Sequence, residues 1–285
     1  MSHWATDTVF LATAQFASGI IGFFYRIFLS KHLGSEGMGV YQQTLAFYVT
    51  AITFITAGIP VSVSKLVAQT KNSDTVGKIV ASALALTAGF SALGTVFLFG
   101  ASVTLKLPVL LVVLPAAILV GFSSVLRGYF LGTQNTSPIR WSILSESLSR
   151  AAAGYVLVSG QLSPRWEGKT KGAVTALALG ELVSLSVFLV FFRGSFKHLR
   201  EHPIDKRSIA GILYIAIPVS LSQIVNSLSG SLEALLVPMS LGFSGLSSSQ
   251  ALAMYGKTTG MAIPLLFFPA LFTMALSANI IPHIS

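Results

Sequence analysis

Apolar residues in this chain come in long blocks separated by short polar breaks. Eight blocks reach about 20 residues or more, the length at which an α-helix crosses the hydrocarbon core of a bilayer. They fall at 8–30, 40–68, 76–104, 108–131, 139–160, 171–193, 208–238 and 249–282. The pattern predicts an all-α, polytopic membrane fold with about eight transmembrane helices. The first block is not a signal peptide, because MSHWATDTVF has no basic stretch and the apolar run is too long.

Charge inside these blocks is what needs a reason. Between Gly121 and Val158, GFSSVLRGYFLGTQNTSPIRWSILSESLSRAAAGYVLV reads as two helices joined by a polar turn at 132–138, with Arg127 near the end of the first and Glu146 and Arg150 inside the second. Glu146 precedes Arg150 by four residues, so both lie on one helix face in the favoured acid-before-base order. A charged side chain at the bilayer centre costs about 2.5 to 3.5 kcal/mol on insertion scales and usually faces a bundle interior or a watery cavity. The pair therefore either locks two helices together by neutralising itself or lines a polar cavity.

Composition narrows the class further. The chain is 53% hydrophobic and 9% charged, where soluble domains carry about 25% charged residues, and its mean hydropathy is +0.77. With no cysteine, disulfides, thiolate metal sites and cysteine nucleophiles are excluded. The five histidines form no HExxH-type ligand pair. No Ser/His/Asp or paired-carboxylate arrangement sits on a loop where a catalytic site could assemble, so neither an enzyme nor a cofactor is expected. A formal charge of +9 points to membrane topology rather than to nucleic acid. A cytoplasmic N-terminus places Lys65, Lys71, Lys78, Arg127, Arg140, Arg193, Lys197, Arg200, Lys206 and Arg207 inside, against Lys31, Lys106, Arg165, Lys169 and Lys171 outside. The positive-inside rule favours that orientation, in the cytoplasmic membrane. The densest basic run, GSFKHLREHPIDKR at 194–207, reads as a cytoplasmic linker touching lipid headgroups or as a plain solvated loop.

A faint repeat divides the chain. Block 1 exits through Leu33-Gly34-Ser35-Glu36-Gly37 and block 7 through Leu241-Gly242-Phe243-Ser244-Gly245, both LGxxG. Each is followed by a tyrosine, Tyr41 or Tyr255, and then by Gly/Pro interruptions: Gly58 and Pro60 in block 2, Pro264 and Pro269 in block 8. Paired interruptions in two halves point to the substrate region of a transporter and make these four residues hinge or gating candidates. The expected organisation is a six-helix lobe at 1–193, the basic linker at 194–207, and the first two helices of a second lobe at 208–285.

RIFLSKHLGSEGMGVYQ, TAGIPVSVSKLVAQ, RGYFLGTQNTSP, ILSESLSR and YGKTTGMAIPLLFFPALFTMALSANIIPHIS resemble the stage V sporulation protein B branch of the polysaccharide transport group. That branch belongs to the multidrug/oligosaccharidyl-lipid/polysaccharide (MOP) flippase superfamily. The resemblance covers essentially the whole chain. It implies two six-helix lobes around a cavity that opens alternately to each side, and a lipid-linked sugar cargo such as a peptidoglycan precursor, with a role in spore cortex or wall synthesis. Arg26, within GFFYRIF, matches the family's cavity arginine in its first helix; Arg127 sits in the RGYF-type motif, and Glu146 and Arg150 match its E-x-x-x-R pattern. Glu233 stands where an aspartate is expected. Arginine suits a pyrophosphate head because its planar guanidinium grips phosphate bidentately and stays charged. Arg26, Arg127, Glu146 and Arg150 are thus the candidate substrate residues, expected to converge on one cavity. Glu233 and Glu181 are candidates for H+ or Na+ coupling, although Glu181 also reads as a hydrogen-bonding partner of a neighbouring helix. Two other readings stay open: a drug/cation antiporter on the same fold, and a non-transport membrane scaffold. Six helices plus two also predict an N-terminal portion of a carrier of about 12 to 14 helices. Such a portion is inactive alone without further helices or a second chain, with Asn226, Ser227, Ser229 and Glu233 poorly packed.

Overall fold

The computed structural model describes residues 3–70, 72–160, 165–195 and 204–269, with side chains from 9 onward except that of 195. The basic stretch at 196–203 and the IIPHIS end of block 8 lie outside the described residues. In order come α1 (His3–Thr56), α2 (Ile59–Gln69), α3 (Ser73–Thr104), α4 (Val109–Val112), α5 (Leu114–Gly132), α6 (Ser137–Ser159) and α7 (Trp166–Phe192). A 3-10 turn (Arg193–Ser195), α8 (Lys206–Phe243), α9 (Ser248–Tyr255) and a π-helical stretch (Gly256–Ala262) follow, and α-helical geometry continues over 263–269. The all-α membrane fold is as expected.

Six helices among the described residues are long and apolar enough to cross a membrane. By that measure the expected number of eight is not confirmed. Val9–Gln69 counts as one run of 61 residues and holds the first two blocks, while α6, with Arg140, Glu146 and Arg150, is not among the six. The long run is nevertheless broken. Gly34 is non-helical (φ 69°, ψ −177°), and Tyr25, Leu29, Tyr41 and Leu45 line one small cavity. Unbroken helix would put Tyr25 and Leu45 about 30 Å apart, so the two halves of α1 fold back on each other at Gly34. A second break follows at Ala57 and Gly58, both with positive φ, where Pro60 opens α2.

Helix ends follow local chemistry. Asn72 caps α3 by accepting the Asp74 N–H at 2.9 Å, and Ser247 and Gln250 form a reciprocal capping box on α9. At the end of α8, the Gly245 N–H reaches the Gly242 carbonyl and the Leu246 N–H the Leu241 carbonyl, a Schellman stop with glycine in the left-handed position, φ 96°. The two LGxxG motifs therefore differ in backbone. The second ends a helix at its last glycine, whereas the first kinks one at its first glycine and runs on helically through Gly37.

Helices meet where side chains are small. Methyl groups at Gly128 and Gly132 of α5 would fall 2.6 Å from the Pro60 carbonyl and 2.8 Å from the Ser64 carbonyl of α2. Gly39 of α1 and Gly256 likewise bring their backbones into direct contact. Close approach through glycine is how membrane helices gain packing without a hydrophobic driving force. The buried apolar residues form two clusters, one holding Leu98, Val109–Ala117 and Ala173–Leu177, the other Ile79–Ala83, Val125–Phe130, Phe188 and Phe192. Each of α3, α5 and α7 contributes to both, and between its two contributions each carries buried polar residues: Thr87 and Ser91, Ser123 and Ser124, Glu181 and Ser184. A polar layer thus crosses the bundle midway along its helices.

α8 departs from expectation. Ser227 and Ser231 are buried against α1: Thr50 Oγ1 donates to the Ser227 carbonyl at 2.8 Å, and Gln43 Nε2 donates to the Ala234 carbonyl at 2.8 Å. Ser227 is therefore well packed, unlike Asn226, Ser229 and Glu233, which are exposed. The start of α8 is pinned to α3 by the Asp205 N–H donating to Ser82 Oγ at 3.1 Å.

Candidate functional site

The cavity that holds the two expected arginines lies between α1, α6 and the helical run Ser248–Pro269. It measures about 370 Å³, and its walls include Tyr25, Arg26, Tyr41, Arg150, Pro264 and Phe268. Arg26 comes from the first half of α1 and Tyr41 from the second, so the fold-back at Gly34 brings both to one wall. Pro264 lies two residues beyond the π-helical stretch, a type of helical irregularity frequent at functional sites. Phe268 stacks on Phe23 with ring centroids 3.9 Å apart, closing one side with aromatic surface.

Arg150 reaches the cavity from α6, whereas its partner Glu146, expected to converge on the same cavity, is not among the lining residues. Its Nη1 lies 3.3 Å from Glu146 Oε1, the two side chains being 27% and 17% exposed. Both side chains are therefore partly open at the protein surface rather than sealed in its core. Opposite them, a methyl at Gly180 of α7 would fall 3.0 Å from Arg150 Cβ and 3.1 Å from the Glu146 carbonyl. The resulting close approach of α7 brings the next residue, Glu181, into electrostatic reach of Glu146, Arg150 and Arg127. Glu181 is buried, and Tyr48 Oη stands 3.5 Å from its Oε1. Ser142 and Ser184 bridge α6 and α7 one turn away, Oγ to Oγ at 2.7 Å.

Arg127 stands apart from the expected convergence. It does not line this cavity; its guanidinium carbon sits 5.9 Å from the centroid of Phe188, a cation–π contact with α7. Of the coupling candidates, Glu181 belongs to the polar layer. Glu233 is exposed on α8, within electrostatic reach of Tyr255. Of the hinge candidates, Pro264 lines the cavity, while Pro269 is exposed at the end of the described residues. Gly58 (φ 67°) lies against α8, where a methyl would fall 2.8 Å from the Ala216 carbonyl. Pro60 packs α2 onto Gly128 of α5.

Sequence reasoning missed three residues that shape the site. Tyr25 packs its ring against Gly154 of α6, where a methyl group would collide with the ring and its hydroxyl. Tyr48 addresses Glu181, and Gly180 admits it. The one local signal was glycine within an otherwise good helix former, AAAG at 151–154, which marks a close approach but not what approaches.

Comparison with known proteins gives a consistent picture. Residues 5–285 match the family model described as polysaccharide biosynthesis protein. The chain is 30% identical to stage V sporulation protein B of Bacillus subtilis (strain 168), over 98% of this chain and 57% of that protein. It is 25% identical to sporulation protein YkvU of the same organism, over 100% of this chain and 66% of that one. The chain thus spans little more than half the length of the first of these relatives. Among solved structures, an inward-facing multidrug resistance MATE family transporter of the MOP superfamily superposes with a TM-score of 0.67 at 15% identity, covering 96% of this chain and 66% of that one. An outward-facing MATE transporter gives 0.63 at 18% identity, covering 98% and 77%. At these identities the structures establish the fold.

Proposed function

Because the chain belongs to the polysaccharide biosynthesis protein family and is a multi-pass membrane protein, we propose that it forms the head-group-binding part of a flippase for a lipid-linked sugar, with its N-terminus cytoplasmic. The observation that carries this reading is the pairing of Arg26 and Arg150 on one cavity of about 370 Å³. The bilayer core repels the pyrophosphate-bearing head of such a lipid and welcomes its polyprenyl tail, so the protein shelters only the head. Two guanidinium groups from different helices meet that need with charge-assisted, bidentate hydrogen bonds. Glu146 is a positioning residue that holds Arg150 when the head is absent. Arg127 supports the site from outside the cavity. Glu181, buried beside Tyr48 and within electrostatic reach of Glu146, Arg150 and Arg127, is the coupling carboxylate for H+ or Na+, with Glu233 second. Residues 1–193 are read as one lobe, 194–207 as the linker and 208–285 as the opening helices of the other. Alternating access needs two lobes closing on a midplane site, so the proposed carrier includes further helices or a second copy.

The test is binding of a fluorescent undecaprenyl-pyrophosphate sugar to the purified chain, beside complementation of a flippase or cortex defect. Each lost charge-assisted contact costs about 1.5 to 3 kcal/mol, so Arg26→Ala and Arg150→Ala weaken binding about tenfold or more and abolish complementation. Arg193→Ala, an exposed charge beyond α7, changes neither. Equal loss or equal tolerance in all three variants at matched membrane levels overturns the proposal.

A further inference from the structure

A second recess has no lining residue in common with the arginine cavity. It measures about 330 Å³ and is lined by Val40, Lys106, Trp166, Glu167, Thr170 and Lys171, among others. These residues come from the second half of α1, the turn after α3 and the first turns of α7. The membrane-crossing runs end there, at Thr104 on one side and at Val109 and Trp166 on the other, so the recess sits at the boundary between hydrocarbon and water. Lys106, Lys171 and Glu167 make no ion pair among the described residues. Two cations against one carboxylate leave the recess positive.

Lys106 occupies an unusual backbone position. The Leu107 N–H donates to the Ser102 carbonyl at 3.1 Å and the Lys106 N–H to the Val103 carbonyl at 3.4 Å. This is the same Schellman stop that Gly245 makes at the end of α8, but with lysine in the left-handed position, φ 54°. Glycine is the usual residue there because it has no Cβ to strain. Gln134 makes the same non-glycine stop after α5, so what singles out Lys106 is its place: the stop fixes an ammonium at the mouth of a positive recess, beside a tryptophan at interfacial depth.

We propose that this recess binds the phosphate of an anionic phospholipid headgroup, with Lys106 and Lys171 as its cations and Trp166 lying along the glycerol and upper acyl region. Phospholipid is the occupant because the recess lies at headgroup depth, where such phosphates are permanently concentrated. The site is independent of the cargo carried in the arginine cavity.

The test uses the full chain with Trp4→Phe and Trp141→Phe, which leaves Trp166 as its one tryptophan, in phosphatidylcholine vesicles doped with brominated lipid. A basic residue near an anionic surface contributes about 1 kcal/mol, which is about fivefold in affinity. Brominated phosphatidylglycerol therefore quenches Trp166 at about fivefold to thirtyfold lower mole fraction than brominated phosphatidylcholine. Lys106→Gln with Lys171→Gln removes the difference. Lys106→Gly lowers it while thermal stability holds or rises. Selective retention of phosphatidylglycerol by the protein with all its tryptophans, purified from mixed-lipid nanodiscs, gives the same readout without the tryptophan changes. Equal quenching by the two lipids, or an unchanged preference in the folded double variant, overturns the proposal. So does displacement of phosphatidylglycerol by millimolar inorganic phosphate, which would make free phosphate the ligand.

Discussion

The ring of Tyr25 on α1 occupies the space that any side chain at Gly154 on α6 would fill. Tyr25 and its neighbour Arg26 both line the arginine cavity, so this contact sets the distance between the wall that carries Arg26 and the helix that carries Arg150.

Gly154→Ala is expected to push the Tyr25 ring into the cavity or force α6 outward. Overpacking of this kind costs about 1 to 3 kcal/mol, read as a lower melting temperature in detergent and a weaker response to lipid-linked sugar. Tyr25→Ala in the same chain removes the collision and restores most of the loss, since directly contacting residues couple. Additive losses in the double variant would show that the two do not meet.

A polar ladder joins α8 to α1. Thr50 Oγ1 and Ser231 Oγ are 2.7 Å apart, and Ser231 Oγ lies 3.1 Å from the Ala46 carbonyl, a second acceptor for its single hydrogen. Interhelical hydrogen bonds in membranes couple by about 0.6 kcal/mol on average and up to about 1.7. A Thr50→Val and Ser231→Ala cycle is expected to fall in that range. A coupling of zero, measured by unfolding in mixed micelles, would remove the ladder as a source of α8 docking.

At the start of α8, the Asp205 carboxylate accepts the Ser208 N–H at 3.1 Å. That backbone bond first, and the Ser208 hydroxyl next, hold the Asp205 carboxyl below its ordinary value. A depressed carboxyl contributes stability that is fully present above its unfolded pKa and is lost as pH falls through the folded one. Acidification below about pH 4 should therefore fray the first turn of α8, seen as falling exchange protection at Ser208 and Ile209. Asp205→Asn keeps a good cap and should lose this acid response; an identical response in that variant would assign it elsewhere.

Much of the fold was legible because its signals are local. Block length gave the helices, Gly58 and Pro60 marked a real backbone break, and the four-residue spacing of Glu146 and Arg150 foretold their contact. What could not be read is what depends on partners distant in sequence. The motif LGSEG looks like a helix exit, yet a single glycine turns the chain and the helix resumes at once, because contacts with α7 and α9 hold residues 35–39 helical: Gly37 lies against Thr170, and Gly39 against Leu252. Arg127, near a helix end, reads as the weaker candidate nearer the inner surface and Arg150, inside a helix, as the stronger, but neither position says what surrounds the side chain. One finds an aromatic ring and the other a cavity, according to which helices flank them. The tyrosine beside Arg26 and the glycine facing it are 129 positions apart and carry no shared pattern.

The ladder between α1 and α8 also has a mechanical consequence. Gln42 and Gln43 donate to the carbonyls of Thr259 and Ala234, and with Thr50 they clamp one stretch of α1 to two later helices. That stretch lies between the two places where the backbone leaves helical geometry, Gly34 and Gly58. A clamped rod bends outside its clamps, so residues 42–50 travel with α8 as one body and the compliance of the first two helices gathers at those two glycines. Spin labels at Val49 and Leu228, both exposed, should keep a fixed separation when cargo binds, whereas labels at Val49 and Val61, on either side of Gly58, should not.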